Sequence, residues 1–270
     1  EVKDLQHAGA FLHANVIQAG PNYEGTENSD VCVITAGVRQ RPDESRRSLL
    51  ARNVAVFKSI IPPLVKLSPN TIFLIVSNPC DTLTYITWKL SGLPKSRVIG
   101  SGTYLDSSRF RVLVAERLGV SAMSIHGFIL GEHGDSSVPI WSGLNVSGVP
   151  LHLTPKRVEE EGWQELHEKV KNSALDVIKL KGYTNWAIGC SVSQIVDFIL
   201  KDTKRVLPLS VDVNGFYGVD KDVFLSLPCV LGRQGITQIL RAPFDETEAQ
   251  KFKESATQMR ELLETLEELK

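Results

Sequence analysis

No Cys-x-x-Cys pair occurs in the sequence, so neither a thioredoxin-like redox motif nor a cysteine-based zinc site has a starting point. The four cysteines, Cys32, Cys80, Cys190 and Cys229, are scattered along the chain. Cys32 falls inside Val31-Cys32-Val33-Ile34 and Cys229 between Pro228 and Val230, so both read as small buried hydrophobes. This usage predicts a reduced, intracellular protein. A basic excess is also missing. Lys+Arg 30 against Asp+Glu 31 gives a formal net charge of -1, which leaves no surplus of cations for phosphates and speaks against a nucleic-acid partner. No purely apolar run approaches the ~18 residues of a membrane span, so no membrane partner is expected. Glu1 to His7 hold no signal-peptide apolar core and read as the interior of a helix. Two glycine motifs are absent as well: the nucleophile turn G-x-S-x-G and the phosphate-binding turn G-x-G-x-x-G.

What is present fits a two-part α/β protein. With 270 residues, 42% of them hydrophobic, the chain can form one large domain or two ordinary ones. Residues 14–19, 31–35 and 72–76 are short apolar runs that read as strands, the last two rich enough in Val and Ile to be buried on both faces of a parallel sheet. Between the second and third, Leu49, Leu50, Val54, Phe57, Ile61 and Leu64 recur at helical spacing and predict a crossover helix. After Val98-Ile99-Gly100 the pattern changes. Gly and Pro punctuate antiparallel strands through residue 151, helices follow over about 158–181 and 185–201, and strands return from 206 to 232. Residues 246–270 carry Phe252, Ala256, Met259, Leu263 and Leu266 at i+3/i+4 steps, an amphipathic surface helix.

Three clusters carry chemistry. Gly131-Glu132-His133-Gly134-Asp135-Ser136-Ser137 places a histidine between glycines just after an apolar strand. Glu132 and His133 are adjacent and diverge on an extended chain, so no metal site is expected there. In Leu105-Asp106-Ser107-Ser108-Arg109-Phe110, Asp106 and Arg109 share a helix face three residues apart. They make either a plain ion pair or a working pair, Asp106 orienting the histidine and Arg109 holding an anion. The third cluster, residues 37–47, follows a buried strand at the carboxyl end, where such sheets bind ligands. Its four arginines, Arg39, Arg41, Arg46 and Arg47, form either a solvated loop or an anion-binding lid.

Taken together these segments resemble the lactate/malate dehydrogenase family, and the L-lactate dehydrogenases within it. The resemblance rests on Ile34-Thr35-Ala36-Gly37 with Arg39-Gln40, Glu44-Ser45-Arg46, Val76-Ser77-Asn78-Pro79, Leu105 to Arg111, Gly131 to Ser137, and Lys181-Gly182-Tyr183-Thr184 with Trp186 to Gly189. They stand in the family's order and spacing along essentially the whole chain. The resemblance implies an α/β fold: a Rossmann-type parallel sheet over residues 1–101, short of its N-terminal part, then an α+β substrate domain over 102–270. It implies NAD as cofactor, pyruvate and L-lactate as substrates, a cytoplasmic location, and a homo-oligomer, dimer or tetramer. His133 would be the proton donor, Asp106 its partner, and Arg109 the fork for the substrate carboxylate. Arg46 would polarise the carbonyl from the lid. Asn78 would contact substrate and nicotinamide, and Thr184 would line the substrate pocket. Ala36, Gly37, Arg39 and Val76 would lie along the cofactor.

Gln40 bears on substrate choice. The malate dehydrogenases resemble this chain but carry Arg at the matching position, where it would pair with a second carboxylate. A neutral amide favours the methyl group of pyruvate, although Arg41 stands beside it. Three residues depart from the family pattern: Asp43 in place of a lid glycine, Arg47 in place of an apolar residue, and Tyr104 in place of Asn. The family's glycine-rich turn and ribose-binding acid precede the point where this sequence begins. The sequence therefore reads either as part of a longer active enzyme or as a shortened, non-catalytic subunit of the same fold.

Overall fold

The computed structural model describes residues 1–12, 14–38 and 46–267. Helix α1 (Val2–Leu12) opens the chain. Strands β1 (Val31–Ile34) and β2 (Ile72–Ile75) are two of the expected apolar runs, and they pair in parallel from Val31 opposite Ile72 to Ile34 opposite Ile75. Parallel neighbours need a crossover, which α2 (Arg46–Leu67) supplies. Its Leu50, Phe57, Ile61 and Leu64 bury one stripe with Cys32, Ile34, Phe73 and Ile75. By length and composition Ser48–Leu67 could cross a membrane; that buried stripe on a sheet accounts for its apolar character. Helix α3 (Cys80–Ser91) then leads to β3 (Val98–Gly100), which pairs in parallel with β2.

The second half begins with α4 (Tyr104–Leu118). Five two-residue strands follow: β4 (Ile125–His126), β5 (Ile129–Leu130), β6 (Val138–Pro139), β7 (Asn145–Val146) and β8 (Val149–Pro150). They pair antiparallel, as the Gly and Pro punctuation predicts. Helices α5 (Pro155–Glu160), α6 (Gln164–Lys181) and α7 (Trp186–Leu200) come next. The single helix expected over 158–181 is thus two. Gly162 adopts φ 66, in the left-handed region that favours glycine, and Trp163 turns into the core at 4% exposure. Phe110, Trp141 and Trp163 stack edge-to-face there, centroids 5.0 and 6.2 Å apart. Strands β9 (Arg205–Asp212), β10 (Phe224–Gly232) and β11 (Gly235–Ile239) precede the terminal helix α8 (Glu246–Glu267).

Two further features differ from the sequence reading. Residues 14–19 are irregular chain, not a strand. β1 is the edge of its sheet, and a short extended segment without a ladder partner gains no backbone hydrogen bonds to hold it. Ile17 is accordingly 67% exposed. The second difference is continuity. β9, β10 and β11 do not form a sheet of their own but extend the parallel one, in the order β1-β2-β3-β9-β10-β11. The joint is Gly100 opposite Ser210, antiparallel.

Glycines make that joint close. A Cβ on Gly102 would stand 2.6 Å from the Ser210 backbone nitrogen and would collide with the Ser226 hydroxyl, and the residue sits at φ 51. Ser226 is needed where it is, because its hydroxyl accepts from the Thr103 amide at 3.0 Å. Gly102→Ala is therefore expected to destabilise the fold by roughly 2–4 kcal/mol, combining overpacking with left-handed strain. A urea unfolding midpoint equal to that of the parent would contradict the packing described.

Candidate active site

Each polar group of the site is delivered by the end of a buried element. Helix α4 buries Asp106, Ser107, Phe110, Val114 and Ala115. Ser107 fastens the helix to β5: its hydroxyl accepts from the Ile129 amide at 2.9 Å and lies 3.2 Å from the Ile129 carbonyl. Thr103 donates to the same carbonyl at 2.5 Å. Where β5 ends, Gly131 takes φ 82 and bridges to Ser226 on β10. The chain then turns outward with His133 facing α4.

Asp106 becomes the meeting point. Its Oδ2 lies 2.5 Å from His133 Nδ1, and its Oδ1 accepts from Arg109 Nη1 at 2.9 Å. The plain ion pair of Asp106 and Arg109 is present, and the same carboxylate also meets His133. The Asp106 side chain is 10% exposed, that of Arg109 19% and that of His133 25%, so the ring stays reachable while the carboxylate beneath it does not. Burial alone would raise the Asp106 pKa, but the His133 charge and hydrogen bond, joined by Arg109, outweigh it and hold the carboxyl below its ordinary value. Burial likewise opposes the charged form of His133. The charge of Asp106, its hydrogen bond and the further charge of Asp81 overcome this and raise His133 to about 9. At neutral pH the ring is an imidazolium: Nδ1–H donates to Asp106, and Nε2–H is left as a proton to give.

The loop carrying His133 is braced from three sides. Glu132 Oε2 accepts from the Ser136 amide at 3.1 Å and from its hydroxyl at 2.5 Å. The Ser255 hydroxyl on α8 accepts from the Glu132 amide at 3.3 Å. Asp81, in the first turn of α3, accepts from the His133 amide at 2.7 Å. Beyond the loop, Ser137 meets His167 on α6 at 3.0 Å, and burial pushes His167 down to about 4.

A second group of expected residues lies at the carboxyl ends of β1 and β2. Ala36, Gly37 and Asn78 are exposed there and Val76 is half-buried. Ser77 donates to the Ala36 carbonyl at 2.6 Å, and Asn53 of α2 accepts from the Val38 amide at 2.9 Å, so the two strand ends form one rim. A Cβ on Gly37 would come within 3.0 Å of Asn53 Oδ1; glycine keeps that backbone bare. A bare backbone beyond parallel strands suits an extended phosphate-bearing ligand. Asn78 precedes Pro79 through a cis peptide. Thr184 is exposed in the α6–α7 connection and makes no hydrogen bond to the His133 group. Tyr104, one of the departures from the family pattern, donates its hydroxyl to Gln194 of α7 at 2.6 Å. Arg39, Gln40, Arg41 and Asp43 lie outside the described residues, and Arg46 and Arg47 are described only as the first residues of α2. Among the described residues no group of three or more His, Cys, Asp or Glu is placed to hold a metal ion.

The sequence reading missed Asp81, Ser107 and the Glu132–Ser136–Ser255 brace. Asp81 did carry a signal, an acid two residues past the Asn78-Pro79 motif, but an acid in a helix's first turn also reads as an ordinary complement to the helix dipole.

An imidazolium paired with a buried carboxylate beside an arginine, in a chain whose parallel strands end in a bare backbone rim, has the parts that an NAD-dependent dehydrogenase requires. Comparison narrows this. Residues 1–100 match the model of the lactate/malate dehydrogenase NAD-binding domain, and residues 103–270 that of the family's alpha/beta C-terminal domain. The chain is 55% identical over 273 residues to the L-lactate dehydrogenase B chain of Sceloporus woodi, covering 100% of itself and 82% of that relative. It is 52% identical over 273 residues to the human L-lactate dehydrogenase B chain, with the same coverage. With the A chain of Ambystoma mexicanum it shares 53% over 260 residues, 95% of this chain and 78% of that one. The chain belongs to the lactate/malate dehydrogenase family.

The electrostatics of the pair can be checked directly. In Asp106→Asn the imidazole loses its strongest stabilising charge, so the His133 titration is expected to move from about 9 toward or below 6.5. Histidine ring NMR would report this. A midpoint unmoved by the substitution would show that Asp106 is not what holds the proton.

Proposed function

We propose that the chain acts as an L-lactate dehydrogenase, reducing pyruvate to L-lactate with NADH and running the reverse oxidation. One observation carries this reading: a charged, reachable His133 over an Asp106 that also holds Arg109. Bound NADH supplies the hydride. His133 Nε2–H gives its proton to the carbonyl oxygen as charge develops there, and takes one from the hydroxyl in the other direction. Asp106 fixes the ring and stabilises its charged form. A guanidinium has five N–H donors, so the single bond to Asp106 leaves Arg109 a fork for the substrate carboxylate. Arg46 completes the site from the lid by polarising the carbonyl. Asn78 contacts substrate and nicotinamide, and Thr184 lines the pocket. Ala36, Gly37, Arg39 and Val76 run along the cofactor. The functional division falls between residues 101 and 102.

Gln40, a neutral amide, selects the methyl group of pyruvate over a second carboxylate. The working form is a homo-oligomer. On the α6–α7 face Leu175, Leu180, Tyr183 and Trp186 are 55%, 91%, 52% and 77% exposed, an apolar patch suited to a second copy. The four free thiols favour a reducing compartment, and we assign the cytoplasm; cell fractionation that recovered the protein outside it would refute this.

Purified chain is expected to quench on NADH titration and to oxidise NADH when pyruvate is added. Absence of NADH binding would overturn the activity for this chain and leave a non-catalytic subunit as the reading. In Gln40→Arg the ratio of kcat/KM for oxaloacetate over pyruvate is expected to rise by roughly 10²-fold or more, the worth of one paired buried carboxylate. An unchanged ratio would remove Gln40 as the discriminator. Leu180→Glu with Trp186→Ser is expected to lower the mass measured by light scattering; an identical mass would place the interface elsewhere.

A further inference from the structure

Asp81 is not needed by the mechanism above, and its position is costly. The residue is 1% exposed, and its Oδ2 accepts from the His133 amide at 2.7 Å. Oδ1 makes no well-formed hydrogen bond, and neither does the buried hydroxyl of Ser210 on β9, although that hydroxyl lies close enough to favour the charged carboxyl. A backbone N–H can be satisfied by any neutral acceptor, and a buried carboxylate with an unpaired oxygen is an expensive way to do it. The expense is visible: burial raises Asp81 to about 6, against the easing effects of Ser210, the His133 amide and the His133 ring charge. What a carboxylate adds over an amide is its charge, and that charge acts through space on the imidazolium of His133, whose main chain the carboxylate holds.

We propose that Asp81 is a positioning residue for proton transfer: it fixes the main chain of His133 and, with Asp106, keeps the ring charged. The groups acting on His133 are then Asp106 from α4, Asp81 from α3 and the opposing Arg109; Glu132 acts in turn on Asp81. Two carboxylates from two helices hold one imidazolium. Asp81 lies on α3, one residue beyond Cys80 and three beyond Asn78, so the nucleotide rim and the proton donor share a support.

The proposal rests on His133 being the proton donor, but its test does not depend on turnover. The full chain with 13C-labelled histidine is titrated by NMR, the His133 resonance assigned by its loss in His133→Gln. In Asp81→Asn the amide oxygen still accepts from the His133 N–H, and the new NH2 can donate to Ser210. The His133 midpoint is expected to fall from about 9 by on the order of one pH unit. Removing a buried charge should leave the melting temperature at pH 8 equal or higher, because a group with a raised folded pKa destabilises the fold above that pKa. A purely structural Asp81 would give the reverse, an unmoved midpoint and a lowered melting temperature, and that outcome overturns the proposal. Should the variant not fold, the parent decides: its His133 resonance is expected to show a second inflexion near 6, where Asp81 takes up a proton. A curve with no such inflexion also overturns it. In an active enzyme the alkaline limb of the pyruvate kcat profile moves to lower pH in Asp81→Asn, with KM little changed.

Discussion

One carboxylate organises this site. Asp106 is taken almost wholly out of water, which by itself would cost several kcal/mol for an ionised group. It remains charged because two cations meet it, one on each oxygen. Neither cation is near Asp106 by accident of surface: Arg109 shares its helix, and His133 arrives on a loop whose base is tied to that helix through Ser107, Thr103 and Ile129. The energetic logic runs both ways. The carboxylate makes a charged imidazole affordable in a half-buried position, and the imidazole keeps the carboxylate ionised. Remove the carboxylate and both cations lose their partner; remove the imidazole and one buried oxygen of Asp106 is left without a donor while Arg109 holds the other.

Much of the fold was legible because it rests on periodicity. Uniformly apolar runs became β1 and β2, and the helical spacing of Leu50, Phe57, Ile61 and Leu64 became the crossover between them. Failures came where tertiary partners decide. Residues 14–19 have strand composition, yet composition cannot supply a neighbouring strand. A left-handed Gly162 split a helix whose periodicity continued on both sides. The union of β3 with β9 depends on two glycines and two serines at close approach, and no pattern in either segment announces it.

The site was legible to a different depth. His133, Asp106 and Arg109 stood out through local context, and the fold brings them together as the spacing and resemblance imply. The residues that hold them in place were not legible, for a physical reason. Serines and threonines at buried junctions act by hydrogen bonds to main chain atoms far away in sequence, so Ser107 to Ile129 and Ser255 to Glu132 leave no local trace. Asp81 is intermediate, visible as a residue and unremarkable as a helix-start acid.

The joined sheet has a mechanical consequence. In a protein whose two halves keep separate sheets, closure over a ligand can be a hinge between them. Here β3 of the nucleotide half and β9 of the substrate half are neighbours in one hydrogen-bonded ladder, and Gly102, Ser210 and Ser226 interlock at the seam. A hinge at that seam would have to break a sheet. The seam therefore opposes a hinge between the halves, and the placement of rim and proton donor belongs to the fold itself.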